Sequence, residues 1–333
     1  MEDKRMRRSV LAVIVGMLLT IAFSACVAAE TRGEVTDLGV DTFTWNCKNF
    51  GGFYYDLDSN ICTEKLTFML SNILEDKSSA SLSGDAPYGI EYQTRAYPKN
   101  FEFKPWGTYN VMGFMAEEYF AGYNPGHDLG SNLFYSGSTD KNSLSSEQLE
   151  KILVDKDTEM TVTSGAPLKL EEGYELAIKS IDIDGNKVYL ELSKNGAVVD
   201  SKVISPSKDG ATEADKTYYY KNPAVGEQKK LMTIGVHFKN AFRGADQNLA
   251  VINGVWQISD TPTEVKADTQ YDKMPIRTVD ATAGTITLDN KDNAITLSKN
   301  KDITFMGGIK IRTADQDEIS AENPLRYYIY VDS

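Results

Sequence analysis

Apolar and polar positions alternate with period two along much of the chain, which is the pattern of half-buried strands. Tyr174, Leu176 and Ile178 alternate with polar neighbours, and Ile181 and Ile183 continue on the opposite parity. This predicts a strand with a bulge near Lys179-Ser180. Asp184-Gly185-Asn186 supplies a turn, Val188, Leu190 and Leu192 alternate again, and Asn195-Gly196 supplies a second turn. Asp-Gly and Asn-Gly between alternating apolar runs are strong hairpin signals, so 173–204 is predicted as an antiparallel meander. Further strands are expected at 218–220, 232–238, 255–258, 285–288, 294–297, 303–306, 309–311 and 327–331.

Helix signals are sparse. Ser145 with Gln148 forms a capping box, Leu144 and Leu149 can staple it, and Leu149, Ile152 and Leu153 make a short apolar stripe, so a connector helix is expected there. The run GFMAEEYFAGY (113–123) fits a helix or a strand equally well. Many short strands between Asp, Asn and Gly turns predict an all-β protein built of β-sandwiches. Ser164-Gly165-Ala166-Pro167 and Thr261-Pro262-Thr263 mark boundaries. They enclose a second β-sandwich domain at 165–260, and a discontinuous first domain would combine 30–164 with 261–333. Simple tandem order is the alternative.

The 333 residues carry a formal net charge of −13, which sets the chain against nucleic-acid phosphates and anionic lipid surfaces as partners. Lys4, Arg5, Arg7 and Arg8 precede an apolar run at 10–23 that is short for a bilayer span, followed by small residues. Residues 1–29 therefore read as a secretory signal peptide, and the protein is expected outside the cell. Val27-Ala28-Ala29 suits cleavage before Glu30, whereas Phe23-Ser24-Ala25-Cys26 has the form of a lipobox that would leave Cys26 for lipid attachment. That lipid would be the only membrane contact, since no second apolar stretch has spanning length. After export, Cys47 and Cys62 would sit where disulfides persist, flanking a hairpin expected between 43–47 and 52–57. A bond between them would contribute about 3 kcal/mol in the chain-entropy model. The alternative is two buried thiols.

Candidate chemistry is thin. The chain has two histidines, His127 and His237, and the second lies in an alternating run where a hydrogen-bonded sheet histidine is the plainer reading. No nucleophile elbow, zinc-binding or phosphate-loop motif occurs. Glu117 and Glu118 are neighbours, so on a strand they point to opposite faces and cannot act as a pair. Asp56, Asp58 and Asn60 begin like a calcium loop, and Asp182, Asp184 and Asn186 do likewise, but neither has the glycine at position six or the glutamate at twelve. The candidate site for a structural cation is Asp56, Asp58 and Asn60; no other cofactor and no enzyme activity is expected.

The stretch TFTWNCKNFGGFYYDLDSNICTE (42–64) gathers six large rings before an acidic turn. On a strand Phe43, Trp45 and Cys47 share one face, and Phe53 and Tyr55 share one face, the pattern of a sandwich core more than of a ligand platform. This stretch resembles the opening motif of the S-layer-related duplication domain of Methanosarcina-type archaea. Asn49, Phe50, Gly52, Phe53, Tyr54, Tyr55 and Asp56 match it, as do Thr63, Glu64 and Leu66. The similarity continues through 113–123, 173–203, 236–250, 295–303 and 325–332. Cys47 and Cys62 stand where the family has small residues, and Gly51 replaces an alanine.

The resemblance implies two linked β-sandwiches and a structural role in the protein coat of an archaeal cell, with the chain itself or related S-layer subunits as lattice partners and no catalytic residues. Family members often carry two such units and a C-terminal anchor. This chain reads as one unit without an anchor, which leaves both a lattice subunit and a minor coat component open. The competing expectation is a secreted or lipid-anchored module for envelope carbohydrate, with rings such as Tyr54 stacking on sugars. An extracellular hydrolase using two carboxylates ranks last.

Overall fold

The computed structural model describes residues 29–70, 77–83, 88–125, 131–135, 142–182, 184, 186–223, 225 and 231–332. Residues 1–28 of the expected leader, with Cys26, and also His127 lie outside the described residues. The protein is all-β, and every strand pairing within its sheets is antiparallel.

Two sheets close on the first core. A six-stranded sheet runs in the order Gln270–Tyr271, Met274–Asp280, Thr285–Asp289, Tyr88–Arg95, Glu64–Leu70 and Thr42–Asn46. Against it lies a five-stranded sheet, in which Arg326–Asp332 takes Glu30–Arg32 and Thr36–Asp37 on one side and Ile309–Thr313, then Asp302–Met306, on the other. Phe68 reaches across from the first sheet to stack on Tyr327 with ring centres 5.7 Å apart, and it meets Phe305 edge-on at 6.0 Å. Trp45, Leu66, Ile286 and Ile329 complete the same apolar cluster. Sequence-distant segments thus share one interior, and each large buried side chain adds a few kcal/mol before ordering costs.

The meander forms as alternation and the Asn195-Gly196 turn signal predict; Ile183 and Gly185 of the other expected turn lie outside the described residues. Leu168–Lys169, Tyr174–Ile181, Val188–Lys194 and Ala197–Ile204 pair in order, with a register shift between Ile178 and Ser180. Asn195 and Gly196 both take positive φ (51° and 82°), the conformation a two-residue hairpin turn demands. Leu176, Ile178, Leu190 and Leu192 face Val236, Phe238 and Ile252 in a second core.

A nine-stranded sheet runs between these units. Its order is Thr217–Tyr220, Ile234–Arg243, Asn248–Ile258, Gln148–Lys156, Glu117–Pro125, Gly107–Phe114 and Tyr97–Asn100, with Met160–Thr163 and Thr263–Glu264 alongside. A third core dominated by aromatic rings, including Phe101, Trp106, Tyr109, Tyr123 and Trp256, packs on its middle.

Two local expectations are corrected. Ser145 caps no helix: Asn142 accepts the Leu144 N–H and starts a single 3-10 turn at Ser143–Ser146, and Glu147 at φ 55° ends it. The next nine residues are a strand, because Leu149 and Glu150 are both buried, one on each face, and the strand is hydrogen-bonded on both sides. Pairing to distant strands outweighs a weak local helix preference. Likewise, Thr42–Asn46 does not form a hairpin with 52–57. It pairs with Glu64–Leu70, and Tyr55–Asp56 pairs with Ile61–Cys62 as a separate short ribbon. The ambiguous 113–123 run is a hairpin turn and strand, with Met115 and Ala116 at φ 53° and 68°.

Candidate functional site

The 46–66 segment is cross-braced by hydrogen bonds, an ion pair and a disulfide, and its bracing starts from Asn49. The Asn49 Oδ1 accepts the Asn46 N–H at 2.8 Å, and its Nδ2 donates to the Thr44 carbonyl at 3.1 Å and to Glu34 Oε2 at 3.2 Å. This locks the turn after the strand and carries Phe50 and Phe53 inward, where they meet edge-on at 4.8 Å and are buried. A Cβ on Gly52 would stand 2.4 Å from the Phe50 ring, so only glycine passes there. Trp45 is buried and donates Nε1–H to the Glu34 carbonyl at 2.9 Å. Of the six rings, Trp45, Phe50 and Phe53 are core, Phe43 and Tyr54 are partly covered, and Tyr55 is exposed. A disulfide joins Cys47 to Cys62 with Cα atoms 5.8 Å apart, tying the turn to the short ribbon.

Behind this loop lies Glu64, whose carboxylate is buried. Its Oε2 accepts the Tyr54 N–H at 2.8 Å, and its Oε1 accepts the Tyr92 hydroxyl at 2.8 Å and the Ala116 N–H at 3.0 Å. Burial pushes the Glu64 carboxyl above its ordinary range, while these three donors favour the ionised form. Thr63 Oγ1 accepts the Gly113 N–H at 2.9 Å, and the Thr94 hydroxyl donates to the Gly113 carbonyl at 2.6 Å. A Cβ at Gly113 would come within 2.6 Å of Glu64, Thr63 and Tyr54 atoms, so only glycine at this position lets the hairpin approach the loop this closely. The Thr-Glu pair that ends the motif is therefore a clamp between the first core and the nine-stranded sheet.

The rim is an ion-pair network. Lys99 Nζ lies 2.6 Å from Asp56 and 3.1 Å from Glu118, and the Tyr54 hydroxyl donates to Glu118 at 2.8 Å. Burial pushes the Asp56 carboxyl up, but the hydrogen bond and charge of Lys99 and the Ser59 N–H prevail and hold it below its usual range. Beyond Lys99, Asp155 accepts the Glu102 N–H at 3.1 Å and the Tyr109 hydroxyl at 3.2 Å, and burial pushes its carboxyl up to about 6. Glu117 pairs with Lys151 at 2.5 Å on the opposite face from Glu118, as strand alternation requires.

The residues considered for a cation are brought to one ribbon but spent differently. Asp56 binds Lys99 and the Ser59 N–H, Asn60 Oδ1 accepts the Tyr55 hydroxyl at 2.9 Å, and Asp58 is exposed. Among the described residues, no three His, Cys, Asp or Glu side chains converge as a metal site would require. His237 is buried, with Nδ1 2.5 Å from Asn253 Oδ1 and Nε2 2.8 Å from Glu213, and its ring stacks on Phe103 at 4.3 Å. Burial lowers its pKa. Nδ1 thus joins its strand to the neighbouring Asn248–Ile258 strand, and Nε2 faces the carboxylate of Glu213 on the short Glu213–Lys216 helix. Tyr92 in the clamp and Lys99 on the rim have no motif signal, and Gly113, although it opens the shared 113–123 run, is not marked there as a partner of Thr63, because these roles depend on pairings across the sheets.

Residues 35–315 match the family described as S-layer protein. Among curated proteins, the chain is 29% identical to the major S-layer proteins of Methanosarcina mazei and Methanosarcina acetivorans over 91% of its length, and to that of Methanosarcina barkeri over 94%. It spans 40%, 40% and 43% of those relatives respectively, less than half of each. Among the described residues, no helix is long and apolar enough to cross a membrane.

Proposed function

This chain belongs to the S-layer protein family, and from that premise we propose that it is a structural component of a protein coat on the cell surface, with itself or related S-layer subunits as neighbours and without catalysis. One observation carries the reading. The polar groups of the shared motif — Asn49, Asp56, Thr63 and Glu64 — are consumed in hydrogen bonds and ion pairs within the chain, and its Trp45, Phe50 and Phe53 rings are core. A motif spent on bracing a shell fits a load-carrying part. A carbohydrate platform would present coplanar exposed rings, whereas Tyr54 is partly covered and bonded to Glu118.

The same proposal divides the chain into two units. The first apolar cluster draws on residues 38–149 and 265–329, and the second on 162–255. This supports a discontinuous first domain around an inserted second one, near the boundaries at 165 and 260. The continuous nine-stranded sheet would then transmit force between the two without a hinge.

Envelopes isolated from cells that make the protein, followed by quantitative mass spectrometry, test this. Enrichment in the envelope fraction supports it, and recovery from the cytosol refutes it.

A further inference from the structure

Leu57 is 78% exposed, the most exposed large apolar side chain among the described residues. It stands at the end of the short ribbon of Tyr55–Asp56 and Ile61–Cys62. That tip is held on several sides: Asp56 accepts the Ser59 N–H at 2.6 Å and pairs with Lys99, Tyr55 bonds Asn60, and the disulfide fixes Cys62. Asp58 beside Leu57 is exposed, and no described side chain pairs with it. A rigid, preorganised tip that offers one apolar group and one carboxylate loses little entropy on docking.

A hollow of about 430 Å³ lies along Arg326–Asp332 and the neighbouring Ile309–Thr313 strand. Val35, itself 45% exposed, and Tyr328 give it an apolar wall, and Lys301 and Arg326 stand at its margin. Its acidic side chains are already spent. Asp302 is held by Arg312 at 2.9 Å and by the Tyr330 hydroxyl at 2.6 Å, and Asp315 is held by Lys299 at 3.2 Å. Arg312 is committed to Asp302 and Glu30, whereas Lys301 and Arg326 have no described ion-pair partner. The hollow therefore presents apolar surface beside unpaired positive charge, on a chain whose net charge is −13. None of the residues lining it belongs to the tip.

We infer that the 57–58 tip of one copy docks into the Val35–Tyr328–Arg326 hollow of a second copy, with Leu57 on the apolar wall and the Asp58 carboxylate against Arg326 and Lys301. The inference rests on the coat reading above and specifies its contact. Charge complementarity selects the occupant: a second copy repels this chain as a whole, so a contact must bring carboxylate to unpaired cation. Because the two patches differ, each copy can use its tip on one neighbour and its hollow on another, the heterologous arrangement that extends instead of closing as a pair.

Sedimentation velocity of the whole chain across a concentration series, repeated on Asp58→Lys, Arg326→Glu and Leu57→Ser, tests the contact. Each variant weakens self-association by about tenfold or more. Mixing Asp58→Lys with Arg326→Glu restores it, because the tip of each variant then fits the hollow of the other. Unchanged melting temperature and an intact Cys47–Cys62 bond show that each variant is folded. A wild-type chain that stays monomeric, variants that associate like wild type, or a mixture that fails to recover overturns the contact. Envelope recovery of the same variants separates the two claims: a chain still found in the coat with normal association after charge reversal sinks only this contact, and absence of the wild type from the envelope sinks the coat reading.

Discussion

Glu64 Oε1 accepts the Ala116 N–H at 3.0 Å across 52 residues of sequence, fastening a buried carboxylate to a hairpin turn in a different sheet. The turn needs fastening. Met115 and Ala116 both occupy the left-handed region, which costs residues with a Cβ roughly 1 kcal/mol or more each. Tyr92 assists: its hydroxyl oxygen receives the Met115 N–H at 3.3 Å while its proton goes to Glu64.

Replacing Glu64 exposes what the clamp contributes. Glu64→Gln puts an N–H donor where an oxygen accepts, and is expected to lower stability by about 2 kcal/mol. Glu64→Ala strands the Tyr54 and Ala116 amides and the Tyr92 hydroxyl, and is expected to cost about 4 kcal/mol. Urea unfolding with an unchanged slope measures both; equal losses for Gln and Ala would show that burial, not hydrogen bonding, is what matters at this position.

The turn itself supplies the opposite sign. Ala116→Gly relieves the left-handed strain and is expected to raise stability by about 0.5–1 kcal/mol. A lower urea midpoint would contradict the conformation assigned to the turn.

The Cys47–Cys62 bond closes a loop with a sequence separation of 15. The double substitution Cys47→Ser with Cys62→Ser is expected to cost about 3 kcal/mol while leaving the far-ultraviolet circular dichroism of a β protein. A midpoint shift corresponding to less than about 1 kcal/mol would show that Asn49 and the buried rings hold the loop without help.

Much of this architecture was legible from alternation. The meander, its bulge near Ser180 and the C-terminal strands follow from period-two patterning and from turns where glycine or asparagine takes positive φ. The strand at Gln148–Lys156 was not legible, because Leu149, Ile152 and Leu153 satisfy a helical stripe and only the pairing with Asn248–Ile258 decides otherwise. The clamp was half legible. Thr63 and Glu64 stood out as motif residues, but nothing local marks Gly113 or Tyr92 as their partners, since those contacts are set by how the six- and nine-stranded sheets meet. The tip was visible as Asp56, Asp58 and Asn60; its orientation, and Lys99 as the counter-ion of Asp56, were not.

Acid titration reports on the other end of the rim. The Asp155 carboxyl rises from 3.8 to about 6 through burial, so the folded state holds a proton that the unfolded chain releases. Its contribution is therefore fully present below pH 3.8 and is lost as pH rises through about 6. Asp155→Asn removes this dependence: relative to wild type it should gain about 1–3 kcal/mol between pH about 4 and pH about 7. A constant difference across that window would show that Asp155 is ionised in the fold at mild acidity.

The most direct measurement of the central claim is immunogold electron microscopy on intact cells, with antibodies against the folded chain. A structural coat component places gold on the outer face of unpermeabilised cells, continuously around the perimeter. Label that appears only after permeabilisation, within the cell body, would contradict it.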